Sequence, residues 1–208
     1  MKPLNEVECL EKSAMKLMYT SKTYSAAMRI ENYDVVALMP CIDLEQGKKA
    51  ADIMIRRAGF PLLIVIILDD ARIGFVASVN KAYRLTSSKY VIYLAQDAFP
   101  GRYWLILAYL AMEKSNKGLL AFNDGKWFGD LASFGMVRRE WVASYYEENL
   151  MNPVYKSHAA DNELTDIAKS SDMYYYDSRI VLLEVDYKKG LTWSATEEDL
   201  KKYRARKK

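Results

Sequence analysis

The sequence predicts an α/β fold, a single domain in which a mostly parallel central sheet is flanked by helices. Strand-like apolar runs alternate with helix-like segments between residues 34 and 114, which is typical of parallel strands joined by right-handed crossovers. The run Pro61–Leu68 is apolar almost throughout, as expected for a strand covered on both faces. Acidic residues follow several of these runs, which would place them together outside the carboxyl ends of the strands.

The composition is that of a globular protein and limits the classes of function. The chain has 208 residues, of which 51% are hydrophobic and 27% are charged, enough for one sizeable domain. No apolar run is long enough to span a bilayer, the N-terminus has no apolar signal core, and Cys9 and Cys41 lack metal-type spacing. These features predict a cytoplasmic location with reduced thiols.

The net charge of +3 hides an asymmetry, because six basic residues stand at the extreme C-terminus, in residues 201–208. The rest of the chain is therefore mildly acidic, and a nucleic-acid partner is not expected. The basic tail could make weak contact with an anionic membrane surface, or it could be a solvated, frayed end.

We divide the predicted domain, residues 1–208, into an N-terminal helical preface (1–33), a first half (34–115), a second half (116–187) and a polar, basic C-terminal tail (188–208). In the preface, the spacing of Val7, Leu10, Ala14 and Leu17 predicts a helix over Pro3–Met18. Ser21–Ile30 is predicted to form a second short helix, and the tail could be helical from Thr196.

The first half alternates three strands with three helices. The strands are predicted at Asp34–Met39, which Pro40 ends, at Pro61–Leu68 and at Tyr90–Leu94. The helices are predicted from Asp43 to about Arg57, over Gly74–Leu85 and over Tyr103–Lys114. In the last of these helices, Trp104, Leu107 and Leu110 would face the core.

The second half is less periodic. Strands are predicted at Gly118–Phe122, Ala132–Val137 and Ser178–Tyr187, and helices at Arg139–Tyr146 and Asn162–Lys169. Asp161 would be a natural N-cap of the last helix. The segment Asn123–Gly129 carries strong turn chemistry in Asn-Asp-Gly. Its Trp127 and Phe128 could contact a bound ligand or anchor the loop on the core.

Acidic residues form four clusters that follow strands or border loops: Asp43 with Glu45, Asp69 with Asp70, Asp97 alone, and Asp161 with Glu163. Gathering like charges is costly unless a cation or hydrogen-bond donors compensate. The sole histidine, His158, excludes an all-histidine metal site, so the oxygen ligands predict Mg²⁺ or Mn²⁺. The sequence contains neither a Gly-rich phosphate loop nor a G-x-S-x-G nucleophile motif.

Over residues 34–187, the order and spacing of these motifs resemble those of the GT-A fold glycosyltransferases, family 2 in particular. The first strand of that family ends in a proline, here Pro40, and the second ends in a base-contacting aspartate, here Asp69 or Asp70. The third strand of the family ends in a metal-binding D-x-D motif. Here that position reads Leu-Ala-Gln-Asp, with Asp97 as its last residue.

Further matches lie between and after these strands. Gly74, Ser78 and Asn80 match the glycine and the asparagine-bearing helix that precede the third strand of the family. The segment SFGMVRREW is similar to an Arg-rich turn on the acceptor side. Asp-Asn-Glu-Leu, residues 161–164, matches the last part of the E-D-x-E-L signature that opens a later helix.

The resemblance implies a Rossmann-like domain that transfers a sugar from a nucleotide-diphosphate sugar to an acceptor hydroxyl, with inversion. Residues 34–115 would bind the nucleotide sugar, and residues 116–187 would bind a glycan, lipid-linked or protein acceptor. Asp97 would hold Mn²⁺ or Mg²⁺. Asp161 would be the general base, or cap its helix, or do both.

The remaining roles follow from the same resemblance and from residue chemistry. The donor-binding residues would be Pro40, Asp43, Asp69, Asp70, Arg72, Asn80 and Gln96. The acceptor-binding residues would be Asp124, Trp127, Phe128 and Glu163. Arg72 could meet the diphosphate bidentately, or it could form a surface ion pair.

Three departures from the family pattern keep other functions open. Ala95 replaces the first acid of D-x-D, Ala160 replaces the glutamate before Asp161, and the stretch from Asp70 to Gly74 is short. A nucleotidyltransferase would use a similar sheet, although it usually needs a Gly-rich first loop. A non-catalytic nucleotide-sugar-binding protein is the other alternative, and Ala95 favours it.

Overall fold

A computed structural model of the protein describes residues 1–25, 30, 33–185 and 197–207. The described strands are β1 (Ala14–Tyr19), β2 (Val35–Cys41), β3 (Leu63–Leu68), β4 (Tyr90–Tyr93), β5 (Ala98–Pro100), β6 (Leu119–Asn123), β7 (Gly135–Arg138) and β8 (Tyr174–Glu184). The described helices are α1 (Glu6–Lys12), α2 (Leu44–Arg57), α3 (Phe75–Tyr83), α4 (Trp104–Ser115), α5 (Arg139–Tyr146), α6 (Ala160–Ser170) and α7 (Glu197–Arg206).

The strands form one mixed sheet in the order β1-β3-β2-β4-β7-β6-β8-β5. The half formed by β1, β3, β2 and β4 is parallel. For β2, β3 and β4 this confirms the prediction from the alternation of strands and helices, whereas β1 lies where a helix was predicted. β7 is antiparallel to both β4 and β6, and β8 is parallel to β6. Six strands therefore point the same way, and β1, β2, β3, β4, β6 and β8 all have their carboxyl ends at one edge.

Pro40 lies within β2 and does not end it, because the strand continues to Cys41. The carbonyl of Leu38 accepts from Leu94 on the β4 side, whereas the carbonyl of Cys41 accepts from Asp69 on the β3 side. Pro40, two residues after Leu38, therefore directs its nitrogen toward β4. The last residue of β2 that pairs with β4 is Leu38, so Pro40 lies beyond that pairing. The missing N–H of proline costs no ladder bond there.

Helices cover both faces of the sheet, because side chains alternate along each strand. Val35, Ala37 and Met39 of β2 join a core with α2 and α4, whereas Val36 and Leu38 join a second core with α3, α5 and α6. In α3, Val76, Val79, Ala82 and Tyr83 are all buried, as their helical spacing predicts. The α/β architecture expected from the sequence is thus confirmed.

The N-terminal preface differs from the prediction. Asn5 forms a capping box with Glu8, and the helix ends at Lys12, so that Ala14–Tyr19 can pair with β3 as an edge strand. Val7 is 63% exposed on the side predicted to face inward, and Cys9 is buried instead. Residues 21–25 are not helical, and the rest of the second predicted helix lies largely outside the described residues.

The inward face of α4 is also only partly as predicted. Trp104 is fully buried and donates from Nε1 to the carbonyl of Met54 at 3.0 Å. Leu107 and Leu110 are 40% and 39% exposed. The helix is apolar on nearly every side, and such a pattern does not identify which side faces the core.

Two glycines of similar burial provide a test of this packing. A Cβ on Gly118 would lie 2.2 Å from Cδ2 of Trp141, whereas a Cβ on Gly47, in α2, would meet Cys41 and Ile66 at ordinary distances of 3.4–3.5 Å. We expect Gly118→Ala to lower the free energy of unfolding by about 1–3 kcal/mol. Gly47→Ala should leave it unchanged or raise it by up to about 1 kcal/mol because alanine favours helix. Urea unfolding of both variants measures the contrast, and equal effects would contradict it.

Candidate active site at the carboxyl edge of the sheet

The carboxyl edge of the sheet collects acidic residues from several strands. Asp69 follows β3, Asp97 follows β4, Asp124 follows β6, and Glu184 ends β8. The segments are joined directly, because the N–H of Val185 donates to the carbonyl of Asp97 at 2.9 Å and that of Glu184 donates to the carbonyl of Asp124 at 3.1 Å. Acids far apart in the sequence therefore lie along one edge.

Asp161 reaches the same edge from the start of α6. It is the second residue of that helix, whose N-cap is Ala159 in a left-handed conformation (φ 64°). The predicted N-cap role of Asp161 is therefore wrong, because the helix begins at Ala160, two residues earlier than expected. Its Oδ1 accepts instead from the N–H of Asn162 at 3.0 Å.

The pKa of Asp161 is raised to about 6, mainly by burial and to a smaller extent by the negative charge of Glu184. Backbone hydrogen bonds from Asn162 and Asp161 act in the opposite sense. The buried Tyr93, at the end of β4, has its phenol pKa raised by burial and then by the charge of Asp161. Asp161 thus interacts electrostatically with Tyr93 at the end of β4 and with Glu184 at the end of β8. Asp97 lies close to both strand ends, because it follows β4 and its carbonyl accepts from Val185, directly after β8.

Gln96 joins the segment after β4 to the turn between β2 and α2 by hydrogen bonds. Its Oε1 accepts from the N–H groups of Ile42 at 2.8 Å and Asp43 at 3.1 Å, and its Nε2 donates to Oε1 of Gln46 at 3.0 Å. Asp43 caps α2 by accepting from the N–H of Gln46 at 3.1 Å. Asp43 and Gln96 are therefore in direct contact.

Asp69 and Asp70 have different environments. Asp69 is buried, and its oxygens accept from Thr20 Oγ1 and from the N–H groups of Ile73 and Gly74, each at 2.9 Å. This carboxylate shapes the short turn that leads into α3. Asp70 is exposed, and hydrogen bonds, first from the Ser21 side chain, lower its pKa to about 2.

Arg72 lies in the turn before α3, whereas Asn80 lies within that helix. Arg72 is exposed, with a left-handed backbone (φ 55°), in the turn that Asp69 shapes. Asn80 is buried, donates to the carbonyl of Met151 at 2.8 Å and accepts from the N–H groups of Leu150 and Met151 at 3.0 Å. Asn80 therefore holds the loop after α5, and its predicted contact with the donor stays a prediction.

The loop after β6 is built around Asp124. This buried carboxylate accepts from the N–H groups of Lys126 at 2.9 Å and Trp127 at 2.8 Å, and from the hydroxyl of Ser133. The loop presents the side chains of Trp127 and Phe128, which are 36% and 66% exposed. Of the two readings of these aromatics, exposure favours a ligand contact for Phe128 over an anchor on the core.

Glu163 is a buried centre of hydrogen bonds. Its oxygens accept from Tyr146 at 3.0 Å, Asn152 at 2.8 Å, Tyr155 at 2.6 Å and Arg206 at 2.8 Å. Burial alone would raise the pKa of Glu163, but the hydrogen bonds, first that of Arg206, hold it below its ordinary value. These partners tie α6 to α5, to α7 and to the loop between α5 and α6, so Glu163 has a structural role. Its predicted contact with the acceptor stays a prediction.

Comparison with known proteins identifies the fold. No protein-family model and no curated protein sequence matches the chain. Among solved structures, a mannosyltransferase, PcManGT from Pyrobaculum calidifontis, determined in complex with GDP-Man and Mn²⁺, superposes with a TM-score of 0.58 at 15% sequence identity. The protein has a GT-A-like glycosyltransferase fold. The match covers 76% of the chain and 58% of the mannosyltransferase, so the chain spans under two thirds of that protein.

A second similar structure is residues 1–349 of TarS from S. aureus. It has a TM-score of 0.49 at 16% identity, and the match covers 84% of this chain and 60% of that one. Within the described part of this GT-A-like domain, no helix is both long enough and apolar enough to cross a membrane.

The donor atoms of the GT-A-like edge fit a metal ion only in part. Within residues 1–25, 30, 33–185 and 197–207, no group of three or more His, Cys, Asp or Glu residues could hold a metal ion. Asp97 supplies one carboxylate, and Ala95 stands where the first acid of D-x-D would be. Mg²⁺ is commonly bound by one or two carboxylates together with substrate phosphates. The residues therefore fit an ion that binds with a diphosphate, and do not form a complete site by themselves.

Sequence reasoning missed two contributors to this edge. Glu184 bonds Lys126 at 3.1 Å and raises the pKa of Asp161, yet in the sequence it is one polar position in an alternating strand. Tyr93 stands in an apolar run, and its hydroxyl donates to the carbonyl of Ala132 at 2.6 Å. Neither position carries a motif, and only the sheet order brings them to the site.

Proposed function

We propose that the protein transfers a sugar from a nucleotide-diphosphate sugar to an acceptor hydroxyl, with inversion at the anomeric carbon. The observation that supports this most is Asp161, a partly buried carboxylate with a pKa of about 6. It lies at the edge where six strands end. A carboxylate with a pKa near the operating pH is suited to general base catalysis.

In this mechanism Asp161 takes the proton of the acceptor hydroxyl while that oxygen attacks the anomeric carbon. The new bond forms on one face of the sugar as the bond to the diphosphate breaks on the other, and the diphosphate leaves with the electron pair. Burial makes ionised Asp161 more basic than an exposed aspartate. The ordered start of α6 holds the carboxylate in place, which reduces the entropic cost of the reaction.

On the donor side, Asp97 would hold Mn²⁺ or Mg²⁺ together with diphosphate oxygens. When bound, such an ion neutralises charge that develops on the leaving group. The exposed Asp70 would accept a hydrogen bond from the nucleotide base of the donor, while the buried Asp69 shapes the turn into α3. Arg72 is exposed in the same turn and could donate to the diphosphate.

On the acceptor side, Trp127 and Phe128 would stack on a sugar ring or on the apolar part of a lipid-linked or protein acceptor. Both lie on the loop shaped by Asp124, which borders Glu184. The exposed basic residues of α7 could add a weak contact with an anionic membrane surface.

A second candidate is a nucleotide-sugar-binding protein without transferase activity. Ala95 and the lack of a three-ligand acidic group in the described residues favour it, because a weaker metal site would slow departure of the diphosphate. The two candidates share ligand binding and differ in turnover.

The binding step can be tested by thermal unfolding with nucleoside diphosphates, each with and without Mn²⁺. We expect the matching diphosphate plus Mn²⁺ to raise Tm by about 5–10 °C, at 100 times Kd, because it binds only the folded state. Mn²⁺ alone should leave Tm unchanged because Asp97 is the sole acid of its motif. A rise in Tm with Mn²⁺ alone would contradict a metal site that forms only when the diphosphate is bound. No rise in Tm with any nucleoside diphosphate would overturn the proposed function.

The catalytic step is tested with sugar derivatives of whichever nucleoside diphosphate raises Tm. The protein is incubated with these derivatives, Mn²⁺ and candidate acceptors. Release of the nucleoside diphosphate that depends on the acceptor supports the transferase. Tight binding without release in the presence of any acceptor supports the non-catalytic alternative.

A further inference from the structure

The C-terminal helix α7 is attached to the rest of the domain by a buried carboxylate. Asp199, in its first turn, is 1% exposed. Its Oδ1 accepts from the N–H of Lys156 at 3.0 Å, and its Oδ2 accepts from the N–H groups of Ser157 at 2.9 Å and His158 at 3.0 Å. Three successive backbone N–H groups thus converge on one side chain of α7.

Successive N–H groups that converge in this way form a concave site for an anion. Buried N–H groups without an acceptor are costly, so this loop conformation depends on the carboxylate that fills it. The next residue, Ala159, has a left-handed backbone and starts α6, and Asp161 stands two residues later. The conformation that Asp199 stabilises therefore directly precedes the proposed base.

The other side of the same loop rests on the donor half. The carbonyl of Lys156 accepts from the N–H of Val76 at 3.0 Å, in the first turn of α3. A Cβ on Gly74 would lie 2.7 Å from that carbonyl oxygen, so the two segments are in close contact. The loop is thus held between the start of α3 and the start of α7.

The rest of α7 lies along α6. Arg206 donates from Nε to Oε2 of Glu163 at 2.8 Å, and the hydroxyl of Tyr203 donates to Oδ2 of Asp166 at 2.5 Å. The Arg206 side chain is 50% exposed, so solvent partly screens its pair with the buried Glu163. Asp199 is the fully buried attachment, which makes it the residue that fixes the loop. Within the described part of the tail, residues 197–207, the chain is therefore packed on the domain and not frayed as its charge suggested.

We infer that Asp199 is a positioning residue for the base Asp161, acting through the three N–H groups of residues 156–158. This inference rests on the proposed function. Loss of the carboxylate releases the loop, the first turn of α6 then moves, and Asp161 is displaced from the acceptor hydroxyl. Displacement of a reacting group by about 1 Å can cost a rate factor of about 100.

The test compares Asp199→Asn, Asp199→Ala and the control Glu198→Gln. Asparagine keeps one acceptor oxygen and turns an NH₂ group toward one or two of the N–H donors, whereas alanine removes every acceptor. Glu198 is on the same helix, but its side chain is 78% exposed and pairs with Lys202. Amide hydrogen exchange at residues 156–158 and the kinetic constants of the transferase are measured for each folded variant.

We expect kcat to fall about tenfold in Asp199→Asn and about 100-fold in Asp199→Ala, with KM for the donor sugar within about twofold of its starting value. Amide exchange at residues 156–158 should accelerate in the same order. Glu198→Gln should change neither quantity. If Asp199→Ala does not fold, Asp199→Asn decides the outcome by the same criteria.

An unchanged kcat in a variant with accelerated exchange overturns the positioning role, and so does a loss confined to KM. Unchanged exchange overturns the inference whatever the kinetics. If the unsubstituted protein transfers no sugar, the proposed function fails and exchange alone decides whether Asp199 holds the loop.

Discussion

Replacing Asp161 with asparagine is expected to abolish sugar transfer while making the protein more stable. Asparagine has nearly the same shape but cannot accept the acceptor proton, and loss of a general base typically lowers kcat by about 10²–10⁴-fold. Binding of the nucleoside diphosphate should persist, because Asp161 lies on α6 and the donor residues lie on other elements. Steady-state kinetics and calorimetric titration measure the two effects separately.

The stability gain follows from the raised pKa. The folded-state pKa of about 6 exceeds the ordinary value of 3.8, so the folded protein binds this proton more tightly than the unfolded chain does. Stability from this group is present below about pH 4 and is lost as pH rises toward 6. Above pH 6 the cost is on the order of 2–3 kcal/mol, at 1.4 kcal/mol per pKa unit, and partial exposure of the side chain makes this an upper bound.

Urea unfolding at pH 5 and pH 8 measures this cost. Asp161→Asn should unfold at higher urea than the unsubstituted protein at pH 8, with a smaller difference at pH 5. The control is Asp172→Asn, after the end of α6, where the side chain is 97% exposed and pairs with Lys117. It should leave both stability and activity unchanged. Undiminished transfer by Asp161→Asn would refute the assignment of the base.

The parallel half of the sheet could be predicted because local and long-range preferences agree there. β3 is apolar throughout and has a strand on each side and helices above and below, so its composition alone indicates its place. The acidic residues after β3 and β4 could be placed at one edge for the same reason, since parallel strands end together. Asp97 follows β4 at that edge, and Asp161 is near enough to Glu184, at the end of β8, for the two charges to interact.

The preface and α4 could not be predicted because sequence spacing does not show what a segment packs against. Met15 and Leu17 of β1 are 47% and 38% exposed and Met18 is its one buried residue, so burial along the strand does not follow a regular period of two. Its pairing with β3 exists only in the folded sheet. In α4 the apolar residues surround the helix, and the choice of buried face depends on where Met54 and Phe122 lie.

The roles of Asn80 and Glu163 illustrate a different limit. Both residue types suit a binding site, and both lie in matching motifs, but each meets a hydrogen-bond partner distant in sequence. Asn80 pairs with the backbone 70–71 residues away, and Glu163 pairs with Arg206, 43 residues away. A motif specifies the residue type, while the role depends on partners that only the three-dimensional fold supplies.

Replacing Asp97 with asparagine is expected to remove the effect of Mn²⁺ on nucleotide binding. A neutral amide is a much weaker ligand than a carboxylate for a divalent ion, and Ala95 offers no second carboxylate to compensate. We expect the gain in diphosphate affinity on adding Mn²⁺ to fall by about 10²-fold, toward no gain at all, since even outer-shell substitutions cost 10–100-fold. Affinity without metal should remain as it was.

Calorimetric titration of the diphosphate, with and without Mn²⁺, measures this coupling directly. Asp52→Asn is the matched control, because Asp52 lies on α2 and pairs with Arg56 away from the edge. An Mn²⁺ effect that survives in Asp97→Asn would place the ion elsewhere.

The reciprocal variant, Ala95→Asp, restores the first acid of the motif and tests the same idea in the opposite direction. Ala95 is partly buried beside the core, so some loss of stability is expected. If a single carboxylate limits the site, this variant should bind Mn²⁺ at lower concentrations of nucleotide, and the gain should vanish when Asp97→Asn is added. A gain that persists in the double variant would show that the new acid binds metal without Asp97.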